Sequence, residues 1–394
     1  MNKKLIAVAV AGAFAAPAAV YAQASTVQLY GKVSVEYLYV DNGQIGIAPG
    51  DARKTDMLNS YSSYIGFKGE EKLGGGMAAW FQCETTLNVI NGGGVLCARN
   101  SAVGFKGSIG NLFIGNWNTP YKQVDEYNEL PTGGSVYAIR DLMHNGNQSN
   151  VVNVGASFNR RQQNLIQYAS PNLGGFKVMA GFSAANEATE QTTGATLGKP
   201  RLWSLGVTYV NGPIYVGGGY EKHYAYNPAV QAVNFTALGY SGRLSDNAWQ
   251  INGAYTFAGV FKLGAVYTRK DYSVSNSTDM DYNAWGVYGD WKIAGPHRLQ
   301  AGYTRANDTK GSAGTVAVPI AVGSARANGG AGNTGAKQWS VRYVYALSKR
   351  TALNAGYTHL DNDTQARYRL QSGSPVPLGG STQKAFALGA EHRF

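Results

Sequence analysis

The stretch from Lys337 to Leu360, KQWSVRYVYALSKRTALNAGYTHL, alternates strictly. Trp339, Val341, Tyr343, Tyr345 and Leu347 fall on one side, and Gln338, Ser340 and Arg342 on the other. After the short basic turn Ser-Lys-Arg, Leu353, Ala355 and Tyr357 alternate with Asn354, Gly356 and Thr358. A period of two on both sides of a tight turn predicts a β-hairpin. The same rhythm recurs near 26–40, 57–70, 76–90, 97–107, 110–117, 162–170, 174–185, 201–210, 213–224, 245–257, 260–272, 281–292, 297–307, 336–347, 350–361 and 383–394, which predicts about sixteen strands. No apolar run after the N-terminus is long enough for a membrane helix, and no sustained helical stripe is present.

Connection lengths sort these strands in space. EKLGGG, GSIG, SPNLGG, VNGP, AGV, IAGP and SKR are short, whereas 118–160, 186–200, 225–244, 308–335 and 362–382 are long. Short turns at one end and long loops at the other describe an up-and-down antiparallel sheet. The polarity of the faces then decides its environment. In WQINGAYTF, Trp249, Ile251, Tyr255 and Phe257 oppose Gln250, Asn252 and Thr256; in AWGVYGDWKI, Trp285, Val287 and Trp291 oppose Tyr288, Asp290 and Lys292. A sheet in a bilayer must close on itself, shows apolar and aromatic residues to lipid and keeps polar ones in the lumen. The expected fold is therefore an all-β transmembrane antiparallel barrel, with Trp339, Tyr343 and Tyr345 facing lipid and Arg342 facing water. Sixteen strands enclose more space than side chains fill, leaving an aqueous channel.

Composition agrees. Charged residues make up 14% of the 394, against about 25% in soluble chains, and mean hydropathy is only -0.24. The formal net charge is +11, two units of which belong to Lys3 and Lys4. These open the segment MNKKLIAVAVAGAFAAPAAVYAQAS, whose apolar run from Leu5, Pro17 and small residues Ala19, Ala22 and Ala24 read as a secretory signal peptide. Cleavage after Ala22 and export by the Sec route are expected, leaving a single domain over 23–394.

Several ordered segments carry a resemblance: STVQLYGKVSVEY, YIGFKGEEKLGGGMAAWFQCE, RNSAVGFKGSIGNLFIGNWNTPY, RRQQNLIQYASPNLGGFKVMAGFS and the terminus KAFALGAEHRF. From Ser25 to Phe394 the chain resembles the general porins of Gram-negative bacteria, of the type found in Neisseria, Burkholderia and Comamonas. The resemblance implies an outer-membrane homotrimer in which the third long loop folds into the lumen and narrows it. It also implies partners: outer-membrane lipid and lipopolysaccharide, the barrel assembly machinery, and the small hydrophilic solutes that diffuse through. No cofactor and no nucleic acid are implied. Phe386, Leu388 and Phe394, on one face of the last strand, look like the family's assembly signal. Small residues at Gly31, Ala79 and Ala355 on the outer face suggest close barrel-to-barrel contact.

The third loop, 118–160, is the longest strand-free connection and holds Asp125, Glu126, Glu129 and Asp141. Such a cluster is ordinarily a solvated loop face, but long ordered loops tend to be functional, and a loop inside a wide lumen would set its limiting size and field. The expected basic side opposite it starts with Arg161, which shares parity with Gln163 and Gln167 against Ile166 and Tyr168 and matches a pore arginine of the resembled family. Arg99 matches a second basic position, although strict alternation groups it with Val103 and Phe105, so an inward Arg99 requires an irregular strand start. Lys122 resembles a basic residue at the loop's base, and Lys32 and Lys68 have inward parity. Tyr64 and Asn116 stand where many relatives carry arginine, which thins the basic ladder, and Arg298 and Arg342 line distant wall. A weak preference for anions is expected; the alternative is a substrate-selective channel for sugars or organic anions, with Trp80 and Tyr288 as inward aromatics.

Cys83 and Cys97 lie on adjacent strands of an exported chain, where a disulfide and two free thiols are both open. The five histidines, at 144, 223, 297, 359 and 392, are too scattered for a metal site. No Gly-x-Ser-x-Gly elbow accompanies a base, so an outer-membrane hydrolase is disfavoured.

Overall fold

The computed structural model describes residues 27–45, 53–125, 135–143, 158–184, 201–224, 245–275, 278–310, 332–370 and 377–394; the signal segment lies outside them. The strands are β1 (Gln28–Asp41), β2 (Lys54–Ser60), β3 (Tyr64–Gly74), β4 (Met77–Thr86), β5 (Ser101–Gly107), β6 (Gly110–Asn118), β7 (Arg161–Ala169), β8 (Phe176–Ser183), β9 (Arg201–Asn211), β10 (Ile214–Tyr224), β11 (Ser245–Phe257), β12 (Phe261–Ser275), β13 (Thr278–Ala294), β14 (His297–Ala306), β15 (Ala336–Ala346), β16 (Thr351–Asn362) and β17 (Thr382–Arg393). Two one-turn helices, α1 (Pro120–Gln123) and α2 (Arg140–Met143), belong to the third loop.

Apart from β2 and β3, consecutive strands pair antiparallel, and β17 returns to β1 through ten residue pairs from Lys32↔Arg393 to Asp41↔Lys384. β2 and β3 both pair with β1, one above the other, through Val35↔Ser60 and Lys32↔Tyr64. They are one stave interrupted at 61–63, so seventeen segments make sixteen staves and the sheet has no edge. The short turns use left-handed backbone where the sequence supplies glycine, as at Gly212 (φ 54°) and Gly295 (φ 52°), the geometry that matches the twist of two paired strands.

The faces divide as expected. Trp249, Ile251, Trp285, Val287, Trp339, Val341 and Tyr343 stand exposed on the outside, while Gln250, Asn252, Gln338, Ser340 and Arg342 are covered inside. The apolar cluster that would be a core elsewhere lies in the lumen, where Tyr121, Val136, Tyr137, Ile139, Leu142 and Met143 of the third loop meet inward Leu38, Val266, Tyr282, Tyr288 and Leu360. Burying side chains such as Ile139 and Met143 is worth about 1.5–3 kcal/mol each, which holds this loop against the wall.

Candidate functional site

The third loop leaves β6 and turns inward at once. Thr119 caps α1, with Pro120 at its first position. The Tyr121 backbone N–H donates to Ser204 Oγ at 2.9 Å, and its phenol meets Thr268 Oγ1 at 2.8 Å. The Val124 carbonyl accepts from Tyr215 OH and Asn252 Nδ2, each at 2.8 Å. The wall makes room with glycine: a Cβ at Gly217 would lie 2.7 Å from that carbonyl. Later, Ser135 Oγ donates to Glu36 Oε2 at 2.8 Å, and the Tyr137 phenol to the Ala387 carbonyl at 2.8 Å. Thr304 Oγ1 donates to the Ile139 carbonyl, and Lys270 Nζ to the Met143 carbonyl at 2.7 Å. The described parts of the loop thus touch opposite arcs of the wall, β9–β12 first and then β1, β17 and β12–β16.

Beside the loop's base, positive groups gather. The Arg161 Nε donates to Asn100 Oδ1 at 2.8 Å. The Arg99 guanidinium pairs with Glu84 and lies 5.1 Å from the centroid of Tyr64. Lys122 is half-buried on α1, where burial and the repulsion of Arg140, Arg161 and Arg99 outweigh the attraction of Asp125 and lower its ammonium to about 7. Burial raises the Asp125 carboxyl to about 7, against a hydrogen bond from Gln250 and the fields of Lys122, Arg140 and Lys270. Arg140, Lys270, Glu84 and Asn100 were not singled out by sequence pattern. Lys270 does fall on an inward strand position, the one signal available.

Four expectations change. Arg161 is at the cluster, but its predicted parity fails: Asn164 adopts φ 51°, the β6–β7 register shifts between Gly115 and Trp117, and Gln162 turns inward while Gln163 is exposed. Arg99 precedes its strand, which begins at Ser101 rather than 97, and this irregular start frees it from the outward face. Lys32 and Lys68 point inward nearer the short turns, where the register sets Lys32 opposite Arg393 and Lys68 opposite Gln28; Lys32 pairs with Glu391 at 3.5 Å. Asp125 does not face the basic side across the lumen: it lies one helical turn from Lys122, 7% exposed. Glu126 and Glu129 lie outside the described residues, and of Asp141 only the helical backbone is described.

Cys83 and Cys97 form a disulfide with a Cα–Cα distance of 4.7 Å. It ties β4 to the irregular segment before β5 and is not a cross-strand pair, because the β4–β5 ladder ends at Gln82↔Ala102.

A closed sheet with an apolar exterior, a polar interior and a loop laid inside is the architecture of an outer-membrane diffusion channel. The family model for Gram-negative porins matches residues 7–365, and the chain belongs to that family. It is 29% identical over 402 residues to outer membrane porin protein 32 of Delftia acidovorans, covering 100% of both chains. It is 26% identical over 231 residues to the major outer membrane protein P.IB of Neisseria meningitidis serogroup B, covering 57% of this chain and 60% of that one. The solved anion-selective porin from Comamonas acidovorans shares the fold with a TM-score of 0.71 at 24% identity, covering 94% of this chain and 100% of that one. The protein is thus an integral Gram-negative outer-membrane porin, a water-filled channel for passive diffusion of small hydrophilic solutes.

Proposed function

We propose that the channel is weakly anion-selective and that residues 118–160 form its constriction. The observation that carries this reading is the gathering of Arg99, Lys122, Arg140 and Arg161 within mutual electrostatic range beside the loop's base, with Asp125 as the only acidic member of the field around Lys122 among the described residues. Ions in a narrow aqueous passage respond to fixed charge within about a Debye length, roughly 8 Å at physiological ionic strength, so these cations outweigh the distant loops. Selection comes from the loop's dimensions and from wall charge. The anion-selective porin from Comamonas acidovorans, which shares this fold, supports the sign.

Residues 1–22 are a signal peptide, and the mature chain acts as a channel and not as an enzyme, as its family membership supports. It works as a homotrimer in contact with lipopolysaccharide and is inserted by the barrel assembly machinery. Small outer-face residues such as Ala79 and Ala355 support the trimer, as does a solved trimer form of OmpT from Vibrio cholerae that shares the fold at a TM-score of 0.65 and 19% identity. Phe386, Leu388 and Phe394, exposed on one outer face, support reading by the assembly machinery. Liposome swelling with sugars of graded size, combined with light scattering of the extracted protein, tests the reading: a sharp size cut-off in a trimer is expected, and flux without a cut-off, or a monomer, contradicts it.

A further inference from the structure

We propose that the inner wall on the short-turn side of the basic cluster carries a weak binding subsite for small cyclic sugar acids. The proposal deepens the channel reading above and rests on it. A cavity of about 460 Å³ lies there, lined by Gln28, Lys68, Trp80, Gln82, Lys106 and Asn111 among others, within the roughly 300–1,000 Å³ typical of small-molecule sites. These side chains come from five adjacent segments, β1 and β3–β6, and the registers Gln28↔Lys68↔Gln82 and Ala78↔Lys106↔Asn111 cross β4 two residues to either side of Trp80.

The indole at its centre is fixed. Trp80 Nε1 donates to Asn111 Oδ1 at 2.7 Å, and the ring is held edge-on against Phe113 and Trp117 at 5.5 and 5.8 Å between centroids. A Cβ on Gly104 would come within 2.9 Å of that same Nε1, so glycine there gives the indole its room. The charges are unequal. Lys106 is neutralised by Glu70, whereas Lys68 lies over the Tyr30 ring at 5.1 Å and pairs with no carboxylate among the described residues.

Each group matches part of one ligand class. An indole fixed in place offers apolar surface to the C–H face of a pyranose. The Gln28 amide suits ring hydroxyls, as do Gln82 Oε1 and Asn111 Nδ2, whose partner atoms are taken by the Asn100 carbonyl and the Trp80 indole, and the Lys68 ammonium suits a carboxylate. A neutral sugar leaves Lys68 unmatched, and a bare aromatic acid leaves the amides unmatched. The subsite is also continuous with the basic cluster: Glu84 accepts from Arg99 Nε and, at 3.3 Å, from the Tyr30 hydroxyl whose ring Lys68 covers. An anion that has passed Arg99 and Arg161 therefore meets Lys68 next, and a site that holds it weakly speeds transfer without trapping it.

The test is the KCl current of the whole protein in planar bilayers with D-glucuronate added. Concentration-dependent interruption of the current at millimolar glucuronate is expected, with glucose and benzoate interrupting it less at the same concentration. Lys68→Gln should raise the half-blocking concentration about threefold, the size of a solvent-exposed charge pair, and Trp80→Leu by about two- to tenfold, the range of an aromatic contact. Absence of interruption, equal interruption by glucose, or half-blocking concentrations unmoved by both substitutions would overturn the subsite. Each of those outcomes leaves the KCl current in place, whereas failure of the channel reading would abolish the current itself.

Discussion

The Arg99 guanidinium lies 5.1 Å from the centroid of the Tyr64 ring, at the position where the resembled family often carries arginine. One cation is thus held over an aromatic face in place of two cations side by side. A cation over a ring at this distance is stabilised by about 0.5–1 kcal/mol at exposed sites, and the pairing with Glu84 adds to it. Arg99 arrives there on a segment outside any strand, fixed by its own N–H to the Glu84 carbonyl at 2.8 Å and by Asn116 Nδ2, which donates to the Ala98 and Arg99 carbonyls at 3.0 and 3.1 Å.

The disulfide is part of that support. Replacing both Cys83 and Cys97 with serine is expected to lower stability by about 3 kcal/mol, the loop-entropy value for a short closed loop, and to move the anion preference part of the way toward zero as Arg99 gains freedom. Urea unfolding in detergent and zero-current potentials of the same double variant check both effects. Unchanged potentials would show that the Glu84 and Asn116 bonds suffice without the bridge.

Removing residues 130–143 is expected to raise single-channel conductance and admit larger sugars, because a sixteen-stave lumen is wide without its loop. A milder variant, Lys270→Met, removes the donor to the Met143 carbonyl and should make the open-channel current noisier with little change in its mean. Single-channel recording distinguishes the two. An unaltered exclusion limit in the deletion would place the narrowest point elsewhere.

Selectivity should depend on pH with a definite sign. Lys122, lowered to about 7, and Asp125, raised to about 7, both take up protons as pH falls from 8 to 6. Lys122 becomes charged and Asp125 becomes neutral, so the local charge rises on both counts and anion permeability relative to cations increases. Zero-current potentials across that range give the slope, and Asp125→Asn should flatten it.

The barrel closes where the termini meet. Gly31 and Phe394 exchange two backbone hydrogen bonds, each 3.1 Å, and the Phe394 ring covers Gly31 so closely that a Cβ there would lie 2.5 Å from Cζ. Gly31→Leu or deletion of Phe394 is expected to reduce the folded, heat-modifiable species on gels severalfold. Normal assembly of both variants would show that this seam is dispensable.

How much the chain revealed depended on what enforced each feature. Lipid imposes a period of two on every stave, so Trp249, Trp285 and Trp339 announce their face and the strand count follows. Parity fails where the backbone leaves that period. Asn164, at φ 51°, reverses the inward face between Gln163 and Gln162, and the irregular segment before Ser101 turns Arg99 inward. In the third loop no period exists at all. Arg140 could not be placed beside Lys122 from spacing, nor Asp125 against the Gln250 wall, because that packing is decided by contacts between residues more than a hundred positions apart.

The central claim, that the gathered cations set the sign of selectivity, is tested most directly by the zero-current potential in a KCl gradient at low ionic strength. The wild-type channel should favour chloride. Arg161→Ala should shift the potential toward potassium, Arg99→Ala should shift it in the same direction, and both shifts should shrink at high salt as screening grows. A channel that favours potassium from the start, or an Arg161→Ala potential identical to wild type at low salt, would contradict the account.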